Sequence, residues 1–176
     1  LLVLVMAVAI YFAQQATIQS FAVNGPSMNP NFQHGQRLLV NKVVYKFHEP
    51  ERGDVIIFHP PNNEPSDYIK RIIGLPGESI EMKEGIVYIH KEDGSVFPLD
   101  EPYITVEAKQ PFKGDAISEN EYFVLGDNRN NSSDSRNGWT LPRQNIIGKV
   151  WLSIWPPEKW GLAANYPLQE QVAKGE

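Results

Sequence analysis

Apolar residues in this chain recur in short runs, many alternating with polar ones, and glycine or proline cuts each run before a helix-length pattern develops. Period-two alternation and short Val/Ile/Tyr/Phe runs predict strands over residues 17–23, 36–42, 53–59, 67–73, 121–126 and 145–155. A hairpin is predicted over 79–90, turning at Lys83-Glu84-Gly85. Fourteen prolines and thirteen glycines are spread along the chain, which argues against long helices and for a mainly β architecture. Residues 91–120 are more polar, with Asp93-Gly94, Pro98, Pro102, Pro111 and Gly114, and read as an elaboration on the core. Pro156-Pro157 stops the last strand, and residues 161–176 form a tail that is amphipathic at most.

The start of the chain follows a different pattern. Residues 1–16, LLVLVMAVAIYFAQQA, are strongly apolar and carry neither charge, glycine nor proline. The run falls short of the roughly 20 residues that a bilayer-spanning helix needs. Because it begins abruptly and on leucine, residues 1–17 are expected to be the outer part of a membrane anchor whose beginning lies ahead of residue 1. A buried helix and a cleaved secretory signal are the other readings, the latter without a visible basic leading region.

Composition narrows the possibilities further. The chain has 176 residues, 41% of them hydrophobic, enough for one ordinary domain with a real core. Sixteen basic against twenty-one acidic residues give a net charge of -5. With no basic run and no aromatics interleaved with Lys or Arg, this argues against nucleic acid as a partner. The absence of cysteine removes disulfides, thiolate metal sites and cysteine nucleophiles, and leaves the redox compartment undecided.

Three positions carry candidate chemistry. Lys70 lies at the centre of the apolar strand DYIKRIIG, on one face with Tyr68 and Ile72. Its amine either snorkels past apolar surface into water or sits in a dry pocket where burial lowers its pKa. Only in the second case can it act as a base near neutral pH. Ser27 lies in NGPSMNPNF, where Gly25, Pro26 and Pro30 make a rigid turn at a strand end. Nucleophiles are displayed on such loops, and so are ordinary turn serines. The loop DNRNNSSDSRNG, from Asp127 to Gly138, is dense in side chains that hydrogen-bond their own backbone. It reads as a tight structured loop or as a solvated one.

Taken together and in this order, PSMNP at Ser27, YIKRIIGLPGE at Lys70 and GDNRNNSSDSR at Ser132 resemble the bacterial type I signal peptidases. GDVIIF, from Gly53 to Phe58, is similar to a fourth segment of that family, and the resemblance runs over about residues 21–155. It implies antiparallel β-sheets forming a catalytic domain over 18–160, with a smaller inserted β elaboration at about 85–119, preceded by the membrane helix. The implied activity is that of a membrane-bound serine endopeptidase that removes signal peptides from exported preproteins after small residues. The implied place is the extracytoplasmic side of the plasma membrane, and no cofactor or metal is implied.

Residue by residue, the resemblance makes Ser27 the nucleophile and Lys70 the general base, with Ser132 hydrogen-bonding the lysine amine. Asp134 and Arg136 match a supporting ion pair. Val23, Met28, Phe32, Tyr68 and Ile69 match the apolar walls that accept the residues before the cleaved bond. The Ser27 N–H is expected to be one oxyanion donor. Two positions depart from many relatives: Asn31 replaces a threonine, and Gly25 replaces a serine whose hydroxyl is a second oxyanion donor in some members. Glycine at that position is the pattern of the Gram-positive branch, and lysine at 70 sets the chain apart from the eukaryotic relatives, which use histidine.

Other readings are open to the same residues. A Ser-His-Asp hydrolase would use one of His34, His48, His59 or His90, but none lies in a GxSxG setting. A self-cleaving repressor would also use a Ser/Lys pair, but the apolar start and the lack of a DNA-binding helical region speak against it. An inactive, membrane-tethered β-domain of the same family that only binds its partners is the non-enzyme alternative.

Overall fold

The computed structural model describes residues 17–163 and, ahead of them, Val3, Val5 and Met6. Strands dominate: β1 (Ile18–Ala22), β2 (Arg37–Asn41), β3 (Val55–Phe58), β4 (Tyr68–Gly74), β5 (Ser79–Lys83), β6 (Ile86–His90), β7 (Val96–Pro98), β8 (Phe112–Lys113), β9 (Glu121–Leu125), β10 (Leu141–Pro142), β11 (Ile146–Trp155) and β12 (Gly161–Leu162). The larger sheet has the order β1-β2-β11-β3-β4-β9-β10, with β12 paired to β11, and the smaller one the order β7-β6-β5-β8. Every pairing is antiparallel. The strands expected from the sequence are present, with ends shifted by a residue or two.

The polar stretch 91–120 supplies β7 and β8, which flank the β5–β6 hairpin. The smaller sheet therefore begins at Ser79. The hairpin turns on two residues with positive φ, Glu84 at 53° and Gly85 at 81°. That conformation matches the twist of the flanking strands and favours glycine at its second position. At the other end, Gly161 and Leu162 pair with Ser153 and Leu152, so the sheet extends two residues into the expected tail. Residues 164–176, and nearly all of the expected anchor over 1–17, lie outside the described residues. Among the described residues no helix is long and apolar enough to cross a membrane.

β3 explains why an unbroken apolar run can form a strand. All four of its residues are buried, Val55 and Ile57 in one core cluster and Ile56 and Phe58 in another. A strand covered on both faces reads as continuous apolar sequence. A third cluster, around Ile80, Val87, Ile89 and Phe123, fills the space between the two sheets. Each fully buried aliphatic side chain of this kind contributes about 1.5–3 kcal/mol.

The directions of the strands follow from the pairings. Four antiparallel steps separate β1 from β4, so both run the same way. Ser27 lies just beyond the end of β1, in the loop to β2, and Lys70 lies inside β4.

Candidate active site

The loop from β1 to β2 is closed at its base by Val23 N–H donating to Gln36 O at 2.8 Å and Gly35 N–H to Val23 O at 2.9 Å. Within it, Asn29 N–H donates to Pro26 O and Phe32 N–H to Met28 O, at 3.0 and 2.9 Å. Met28 is fully buried, and its sulfur accepts the Asp127 N–H at 3.4 Å. Asn31, the departure from the family's threonine, donates its amide to Asp127 Oδ2 at 2.8 Å and to Tyr103 O at 3.0 Å. The loop is thus fixed at both ends and from below, and Ser27 has little freedom to move.

Lys70 reaches this serine from β4. Its Nζ donates to Ser27 Oγ at 2.8 Å and to Ile69 O at 3.0 Å, and lies 5.0 Å from the centre of the Tyr68 ring. Only 4% of the residue is exposed. Burial pulls the amine down from its usual value to about 8, against an opposing pull from the carboxylates of Asp134 and Asp127. Of the two sequence readings of Lys70, the buried one holds.

Residues 126–134 cover the other side of the pair. Asn128 N–H donates to Ser27 O at 2.9 Å, and the Asn128 amide to Pro26 O at 3.2 Å. Asp134 is fully buried and accepts from Gly126 N–H and, through both oxygens at 2.8 Å, from the Arg136 guanidinium. Burial acts to raise the Asp134 carboxyl, but the Arg136 pair and the Gly126 N–H outweigh it and hold the group below its ordinary value. An ionised Asp134 therefore stands near the amine, as a supporting role requires.

Ser132 is placed differently from the resemblance. Its Oγ is buried, makes no hydrogen bond of ordinary geometry, and does not bond the lysine amine. It sits against the α-carbon of Gly126, close enough to Asp134 to help lower that carboxyl. Asn131 and Ser133 line the groove of the catalytic pair, whereas Ser132 lines a separate polar cavity with Arg129 and Arg136.

The same crowding makes Gly126 irreplaceable. A β-carbon there would lie 2.5 Å from the Ser27 carbonyl oxygen and against Ser132 Oγ. Backbone cannot yield as a flexible side chain can. Gly126→Ala is expected to lower kcat/KM by about 100-fold or more through misplacement of Ser27, with a smaller fall in melting temperature. Full activity in a folded Gly126→Ala protein would show that the loop does not position the serine.

The groove has a volume of about 460 Å³. Of the five apolar residues that the resemblance assigns to its walls, Tyr68 and Ile69 line it. Val23, Met28 and Phe32 are buried in the core cluster behind it, since the closed loop turns these side chains inward. Phe21, Ala22 and Ile57 stand in their place. At the base of the groove the Ser27 N–H donates to nothing among the described residues. Gly25 N–H is taken by His34 Nδ1 at 3.2 Å, and Gly25, with a φ of 84°, leaves open space where a side chain would be.

The strongest support of the site was not among the expected residues. Arg71, next to Lys70, donates from Nε and Nη2 to both oxygens of Asp127, at 2.9 and 2.7 Å, and both side chains are fully buried. The guanidinium also stacks 4.0 Å from the Tyr103 ring. Charge inside an apolar strand was the signal, because a buried arginine must have a buried partner.

A serine hydroxyl in contact with a buried amine, beside a free backbone N–H and at the base of a partly apolar groove, is an arrangement suited to a hydrolase. None of the four histidines bonds a serine hydroxyl among the described residues, so the triad reading has no geometry behind it.

Comparison with known proteins agrees with that class. The family model described as signal peptidase, peptidase S26 matches residues 1–155. A Synechocystis sp. protein named Probable signal peptidase I-1 is 41% identical over 147 residues, 80% of this chain and 72% of that protein. Signal peptidase I of Leptolyngbya laminosa is 40% identical over 142 residues, 77% of this chain and 68% of that protein. The crystal structure of a signal peptidase I from Enterococcus faecalis V583 superposes with a TM-score of 0.50 at 31% identity, covering 58% of this chain and 97% of the other. This chain belongs to the signal peptidase family, peptidase S26, and is a peptidase.

Proposed function

We propose that this protein cleaves signal peptides from exported preproteins, with Ser27 as nucleophile and Lys70 as general base. The observation that carries this reading is the 2.8 Å contact between Lys70 Nζ and Ser27 Oγ in a site where the amine's pKa is about 8. When the amine is neutral, the same contact reverses, and the hydroxyl donates to Nζ. As Oγ attacks the carbonyl carbon, its proton passes to Nζ, and the Ser27 N–H stabilises the oxyanion. The ammonium then protonates the leaving amine of the mature protein, and the signal peptide remains as an ester on Ser27. Lys70, neutral again, deprotonates water for attack on that ester, and the proton returns to Oγ. Asp134 keeps the transient ammonium affordable without forcing it to persist.

Residues 1–17 would tether the 18–160 domain to the plasma membrane on its extracytoplasmic side. Few residues separate that segment from the Ser27 loop, so at about 3.3 Å per extended residue the groove stays near the membrane surface, where the ends of signal peptides emerge. Purified full-length protein should cleave a preprotein, and Ser27→Ala protein should not. Failure of the folded wild type on preproteins with small residues before the cut would favour the binding-only alternative.

The groove favours small side chains at the first and third positions before the cut. An extended peptide lying along Ser66–Ile69 would turn alternate side chains toward walls that include the apolar Phe21, Ile57 and Ile69. Library profiling should return alanine at both positions. A preference for a basic or aromatic residue at the first would refute this.

The dependence on pH follows from the lysine. The rate constant kcat/KM should rise through a single ionisation near pH 8 and level off above it. The stability effect has the same direction. Between about pH 8 and the unfolded value of about 10.4, the unfolded lysine binds more protons than the folded one, so stability rises with pH across that window and the cost of burying the amine disappears. Lysine-selective NMR on the folded protein checks both. An amine still protonated where the rate has levelled off would remove Lys70 from the role of base.

A further inference from the structure

We propose that Asp67, held by His59 at the mouth of the groove, selects substrates with a cationic side chain at the fourth or fifth residue before the cut. The inference rests on the cleavage reading given above and adds a charge preference to it. Asp67 lines the same groove as Ser27 and Lys70. One of its oxygens, Oδ1, is 2.6 Å from His59 Nδ1; His59 is 69% exposed and the Asp67 side chain 32%. Oδ2 has no partner among the described residues. A carboxylate with one oxygen fixed and the other free at a groove mouth is oriented toward what enters.

Its distance from the chemistry sets the position that it reads. Asp67 lies three residues before Lys70 and one ahead of β4, about 10 Å at 3.3 Å per extended residue. Tyr68 and Ile69, which line the groove between the two, are the surfaces that the small residues before the cut occupy. Asp67 lines the groove beyond them, level with the fourth or fifth residue of an extended substrate. Its surroundings add to the negative charge. Glu64, on the same β3–β4 connection, accepts from the Tyr68 hydroxyl and from the Asn62 amide at 2.8 Å. Besides Asp67, the only charged residue lining the groove among the described residues is Lys70, whose amine is buried against Ser27.

The test uses the full chain and a set of peptides that are identical except for Lys, Gln or Glu at the fourth or fifth residue before the cut. Cleavage is measured with wild type, and binding by fluorescence anisotropy with Ser27→Ala protein. Wild type should prefer the Lys peptide over the Glu peptide by about tenfold at low salt, and the ratio should shrink at 1 M salt, as expected for partly exposed charges. Asp67→Asn, which keeps the shape and a hydrogen bond to His59, should bring the ratio below about twofold, chiefly by slowing cleavage of the Lys peptide. His59→Ala should keep the preference, because the charge that reads the substrate remains.

A ratio near one in wild type, or an unchanged ratio in Asp67→Asn, overturns the proposal. Charge-selective binding without cleavage would support Asp67 and overturn the peptidase reading. Cleavage without charge preference does the reverse, and absence of both binding and cleavage overturns the two together.

Discussion

Lys70→Ala should lower kcat/KM for a preprotein by about four orders of magnitude, and Ser27→Ala by a similar factor, with the fold intact. The two side chains act as one unit, so the loss of either removes nearly the whole gain, and the double variant should be little worse than either single one. What remains is catalysis by groove binding and the Ser27 N–H, which is independent of both side chains. Lys70→Arg should fail as completely, because a guanidinium keeps its proton throughout the working range. Lys70→Ala also relieves the burial of an amine that is partly protonated near neutral pH, so this variant should be no less stable than wild type. Steady-state kinetics together with urea unfolding separate the two effects. More than a few per cent of wild-type rate in folded Lys70→Ala protein would refute the mechanism.

Arg71→Ala should be the most damaging single change to stability, at about 3–5 kcal/mol, because it leaves the Asp127 carboxylate buried without its counter-charge. Asp127→Ala should cost a similar amount for the mirror reason. Replacing both by apolar residues of like volume should recover much of the loss, since neither charge is then stranded. Activity should not return with stability. The Asp127 carboxylate also accepts from Asn31, so the pair ties the base strand to the serine loop, and the apolar replacement lacks that bond. A double-mutant cycle in urea, run beside kcat/KM, checks both statements. An additive cycle would mean that the two charges do not act on each other.

Much of this fold is legible in the amino-acid sequence alone. Alternation and turn residues located the strands, because a half-buried strand must alternate and a tight turn needs glycine or proline. Ser27 and Lys70 are each ambiguous alone, as a turn serine and a strand lysine, and became legible only through the resemblance that the three segments carry together. The partners of the site were less so. Arg71 to Asp127 is a contact between residues 56 apart in sequence, and nothing local in either segment names the other. Ser132 was expected on the amine, and its actual position against Gly126 depends on a close backbone approach that periodicity does not encode. Val23, Met28 and Phe32 are apolar in the right neighbourhood, but the closure of the β1–β2 loop decides whether such side chains face the groove or the core. His59 and Asp67 are separated by a proline-rich connection whose path only the folded chain reveals.

The order of strands has a consequence for the timing of synthesis. In the larger sheet β11 lies between β2 and β3, so the hairpin leading to the nucleophile and the one carrying the base become neighbours only after one of the last segments of the chain is in place. While the ribosome is still adding residues 146–155, serine and lysine lie on two hairpins that no strand pairing joins. The strand that holds the two hairpins side by side is thus made after both of them, so the sheet that aligns serine and lysine closes late in synthesis.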